Sequence, residues 1–82
     1  MWISEKTKDL IRTTCAELED LADKIIAADY NEAEIDRLTQ QQKAVIKKFR
    51  DEADNYELEF AEMDVDTGIS FDFIRDTELI LT

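Results

Sequence analysis

The chain contains no proline and a single glycine, Gly68, in 82 residues, so it has almost no means of breaking a helix by backbone chemistry. Proline removes a helical donor and glycine loosens the backbone. A polypeptide this poor in both favours long uninterrupted helices over short strands joined by turns, and the expected class is all-α. At this length residues 1–82 form one domain. Such a chain buries only about 60 to 65% of its unfolded surface, so self-association into a dimer or higher homo-oligomer would add stability.

Apolar residues then place the helices. Leu10, Ile11, Cys15, Leu18, Leu21, Ala22, Ile25 and Ile26 recur at steps of three and four, which predicts a helix over 4–28 with Ser4 as its N-cap. At Asp29-Tyr30-Asn31 the pattern breaks. Asn31-x-x-Glu34 reads as a capping box, with Tyr30 positioned to staple onto Ile35. Ile35, Leu38, Gln42, Val45, Ile46, Phe49, Ala53, Tyr56, Phe60 and Met63 continue in helical rhythm and predict a second helix over 32–63, ended by Asp64-Val65-Asp66-Thr67-Gly68. The two helices make a long antiparallel hairpin of roughly 37 and 48 Å, whose second arm overhangs the first by about two turns. Met1-Trp2-Ile3, the C-terminal tail or another subunit must cover that overhang.

The last residues support two patterns. Val65, Thr67, Ile69, Phe71 and Phe73 alternate as in a strand, whereas Phe73, Ile74, Thr77, Ile80 and Leu81 form a helical stripe behind Ser70. A lone two-stranded hairpin is weakly stable, so the expected element is a short third helix docked on the hairpin or on a partner subunit.

Charge is distributed unevenly along this framework. The net charge is −11, and positions 51–82 carry eleven Asp and Glu residues against the single base Arg75. Such a surface repels nucleic acid and anionic membrane and steers toward a basic partner. Lys43, Lys47, Lys48 and Arg50 form the only basic cluster. At i+4, Lys47 meets Asp51, Lys48 meets Glu52 and Arg50 meets Asp54, so that band neutralises itself. Glu57, Glu59, Glu62, Asp64, Asp66, Asp72, Asp76 and Glu78 remain, with Arg75 as their one local partner. Trp2, Phe49, Tyr56, Phe60, Phe71 and Phe73 fall toward the same end.

Several chemistries are disfavoured. The chain has no histidine, which removes the commonest general base and every Ser-His or Cys-His nucleophile. A helical hairpin offers no deep cleft for shifting carboxylate pKa values, so no catalytic residues are expected and the chain is read as a non-enzyme. Cys15 cannot form an intrachain disulfide and reads as a packing residue, in keeping with a cytoplasmic protein. Asp64-x-Asp66-Thr67-Gly68 resembles the start of a calcium loop, but Gly68 falls at the fifth position and Arg75 at the twelfth, where a bidentate acid belongs. No metal and no cofactor are expected. The early acid at Glu5 does not fit a secretory signal, and no apolar run is long enough to cross a membrane.

The leading expectation is a small acidic module that binds a basic surface of another protein, as an inhibitor or a mimic of nucleic acid, through Tyr56, Glu57, Glu59, Phe60, Glu62, Asp64, Asp66 and Asp72. The resemblance to phage-encoded acidic inhibitors is one of composition alone. A second reading is a self-assembling helical bundle joined through Ile35, Leu38, Gln42, Phe49 and Met63. A third is an oligomeric binder of a nucleotide or other small anion, using Arg37, Lys43 and Lys47.

Overall fold

A computed structural model describes residues 3–82, all of whose regular structure is helical. Ser4 opens α1 (Glu5–Ala27) by accepting the Thr7 amide on its hydroxyl oxygen at 3.3 Å. Asp29 and Tyr30 then take left-handed φ values of 44° and 69° and reverse the chain. Asn31 caps α2 (Glu32–Glu52) by accepting the Glu34 amide at 3.2 Å. Glu34 does not complete the box, because its carboxylate is engaged by Arg37. Nor does Tyr30 staple onto Ile35. It is 91% exposed at the hairpin tip.

The second helix is shorter than its apolar rhythm predicts. It ends at Glu52, Ala53 is extended, and the Asp54 carboxylate accepts the amides of Tyr56 at 2.9 Å and Glu57 at 3.4 Å to start α3 (Asn55–Ala61). Residues 32–63 are therefore two helices, and the expected overhang is a separate helix. The stripe hid this break because Phe49, Ala53, Tyr56 and Phe60 stay in phase across it.

The segment 64–68 also behaves differently from the expected helix exit. Asp64 accepts the Thr67 amide at 2.8 Å and starts α4 (Val65–Leu81), well before Ser70. Gly68 is a buried helical residue. A Cβ built there would lie 2.7 Å from the Ala61 carbonyl oxygen, so the glycine permits the first turns of α4 to press on the end of α3.

The hairpin and the C-terminal helix expected from the sequence are both present. α1 and α2 pack together, and α4 lies against α1, α2 and α3. Ile3, Ile11, Leu18, Ile46, Phe49, Leu58, Ala61, Phe71 and Ile74 form one buried cluster, in which the rings of Phe49 and Phe71 stand 6.4 Å apart. Each large side chain buried there is worth about 1.5 to 3 kcal/mol. Ile3 belongs to the expected N-terminal cover, whereas Met1 and Trp2 lie outside the described residues. Among the described residues no helix is long and apolar enough to cross a membrane.

Candidate protein-binding face

The acidic end is built from α3, α4 and the first turn of α1. Glu57, expected to lack a partner, reaches that first turn. It accepts the Ser4 hydroxyl at 2.8 Å, the Ser4 amide at 3.4 Å and the Thr7 hydroxyl. The Thr7 and Ser4 hydroxyls hold its carboxyl below the ordinary value, and the positive end of the α1 dipole favours its charge. Asp64 is held low in the same direction, first by the Thr67 amide, with the Lys8 ammonium 3.8 Å away adding to the effect. The Thr67 hydroxyl near the same carboxylate is fully buried and finds no partner with hydrogen-bond geometry among the described residues.

Three further acids are paired. Arg75 binds both Glu62 and Asp72 and lies over the Phe71 ring, 5.9 Å from its centroid. Arg50 joins α2 to α4 through Glu78, in place of the expected Asp54, which is occupied as a cap. Glu57, Glu62, Asp64, Asp72 and Glu78 are thus engaged within the fold. Glu59, Asp66 and Asp76 are exposed carboxylates without an ion pair among the described residues.

Exposed apolar side chains lie on the same two helices and in the turn between them. Tyr56 is 70% exposed and meets half-buried Phe60 edge-on at 5.3 Å. Met63, Val65, Ile69, Leu79 and Ile80 are also exposed. α4 buries Thr67, Gly68, Phe71 and Ile74, while Val65 and Ile69 on its other side stand 78% and 69% exposed. Of the residues expected to meet a partner, Tyr56, Glu59, Phe60 and Asp66 remain available at least in part, while Glu57 and Asp64 are committed to helix starts. Val65, Ile69, Leu79 and Ile80, exposed on α4, were not among the residues expected there. Their signal was present in the sequence, since 65–81 has more apolar residues than a single buried stripe requires.

The other candidate groups are dispersed. Leu38, Gln42 and Phe49, expected at an oligomer interface, are buried inside their own chain, leaving half-buried Ile35 and exposed Met63 at the surface. Of the anion-binding candidates, Arg37 is held by Glu34, Lys47 by Asp51 at 3.1 Å, and Lys43 flanks a surface depression near Leu81 and Thr82. Burial and then the Glu19 charge push the Cys15 thiol up, which disfavours the reactive thiolate. A groove of about 340 Å³ runs between α1 and α2, floored by Leu10, Val45 and Phe49. Among the described residues no group of three His, Cys, Asp or Glu side chains is placed to hold a metal ion.

No family model matches this chain, and no curated protein or solved structure matches it.

Proposed function

We propose that this protein is a non-enzymatic binding module that takes a basic surface of another protein on its α3–α4 end. One observation carries the reading. Exposed Tyr56, Met63, Val65 and Ile69 share that end with Glu59 and Asp66, acids that form no ion pair among the described residues. Apolar contacts would hold a partner there and the carboxylates would steer it, a division of labour common at protein interfaces. Because those carboxylates lie along helices, a nucleic-acid-binding groove is one form the basic partner can take, with the acids standing in for phosphates.

Capture from lysate at low salt tests this reading. Glu59→Lys and Asp76→Lys should release the retained protein, while Asp23→Lys, the same charge change near the hairpin tip, should keep it. Release by added DNA would identify the nucleic-acid-mimic form. Equal retention by all three variants would refute the placement of the site.

A further inference from the structure

We infer that the partner element received by α4 is a basic amphipathic helix, with apolar residues toward its ends and Lys or Arg at its centre. The inference rests on the binding-module reading above and specifies its occupant. Val65, Ile69, Asp72, Asp76 and Leu79 recur at steps of four, three, four and three, the spacing of a seam along which one helix packs on another. Val65, Ile69, Asp76 and Leu79 are exposed, and Asp72 is half-buried. The seam is therefore an unpartnered helix face, apolar at its ends and acidic in the middle. From Val65 to Leu79 it extends about 21 Å, enough for roughly four turns of a partner helix.

A second copy of this chain is a poor occupant. Antiparallel pairing about the middle of the seam sets Asp72 against Asp72 and Asp76 against Ile69, and parallel pairing sets each aspartate against itself. Either arrangement brings four carboxylates into one desolvated interface. Arg75 offsets part of this through Asp72, but it is already shared with Glu62, and Asp76 has no ion-pair partner among the described residues. Like charges at facing positions oppose pairing, whereas Lys or Arg there would give Asp76 a cross-helix pair and add a second base to Asp72, which already holds Arg75. The same two residues thus exclude self-pairing and select a basic helix.

The probe is a labelled synthetic helix of eighteen residues, with leucine at the outer seam positions and arginine at the two central ones. Its control has the same composition with the arginines moved to the opposite face. Fluorescence anisotropy at near-physiological salt should show the seam peptide binding at least about tenfold more tightly than the control. Asp76→Lys and Ile69→Ser should each weaken it by about tenfold, and Asp23→Lys by less than about twofold. Asp76→Leu should turn the chain toward dimers in sedimentation velocity at a concentration where the parent is monomeric. These exposed positions lie outside the core, and circular dichroism checks that each variant stays helical.

Equal binding of the two peptides, or a parent chain already dimeric through α4, would overturn the inference. Disordered dodecalysine separates this failure from failure of the binding-module reading. If dodecalysine is lost on Asp76→Lys and kept on Asp23→Lys while the seam peptide shows no preference, only the helical occupant is wrong. If Asp76→Lys and Glu59→Lys leave dodecalysine binding unchanged as well, both readings fall.

Discussion

Glu57 of α3 accepts the hydroxyl proton of Ser4, the N-cap of α1, at 2.8 Å across 53 positions of sequence. One carboxylate therefore closes the start of the first helix and fastens the third helix to it. Acid should loosen this join. The Glu57 carboxyl is held below its ordinary value of 4.5, so its stabilisation is complete above that value and is lost as pH falls through the lower folded one. The thermal midpoint of the parent should exceed that of Glu57→Gln at neutral pH, and the gap should close as pH drops below 4.5, measured by calorimetry. A gap of constant size across the acid range would show that the charge is irrelevant.

Gly68→Ala should destabilise the protein, against the usual rule for a helix interior. Alanine gains about 1 kcal/mol in helix propensity. The added Cβ would stand 2.7 Å from a backbone oxygen of α3, which cannot rotate away. Relieving such overpacking costs about 1 to 3 kcal/mol, so a net loss of about 1 kcal/mol is expected in urea unfolding.

Tyr30→Gly should have the opposite sign. Tyr30 holds φ at 69° with its ring in solvent, and a non-glycine residue in the left-handed region is strained by about 1 to 2 kcal/mol. Glycine relieves that strain but gains freedom in the unfolded chain, leaving a net stabilisation of about 0.5 to 1 kcal/mol, measurable by the same titration. Tyr30→Ala keeps the strain and should change stability little.

Arg75→Gln should lower the thermal midpoint through electrostatics, because it leaves Glu62 and Asp72 without their shared base. These groups are substantially exposed, so salt should screen the added repulsion. The deficit relative to the parent is expected to shrink between low salt and about 1 M sodium chloride, where the Debye length is about 3 Å. A deficit independent of salt would assign the effect to Arg75 packing over Phe71.

The parts of the fold that depend on neighbours in sequence were legible. Ser4 and Asn31 announce helix starts by type and position, and the steps of three and four place α1 and most of α2. Asp54-x-x-Glu57 carries the same kind of signal, but the uninterrupted phase of the apolar residues masked it. Gly68 was read as a stop because glycine commonly follows a helix end. Its contact with Ala61 exists only once α4 has folded back.

The acidic end was legible as a charge excess, not as a set of free acids. Counting partners four residues apart misses Arg50 with Glu78, separated by 28 positions, and Ser4 with Glu57, separated by 53. For the same reason Val65 and Ile69, read only as part of an alternating pattern, were not expected to stand exposed on a helix. Whether an apolar residue on a two-faced helix is covered depends on which face the rest of the chain occupies.

Each of the four helices among the described residues begins at a side-chain oxygen, on Ser4, Asn31, Asp54 and Asp64, in a chain with no proline and one glycine. Punctuation of this kind is easily rewritten. A single substitution at Asp54 removes the acceptor that starts α3, while the phase from Phe49 to Phe60 already suits one continuous rod. The break between α2 and α3 thus rests in part on one carboxylate at the acidic end, whereas the hairpin is held by many buried side chains, so a point change can reach the first without touching the second.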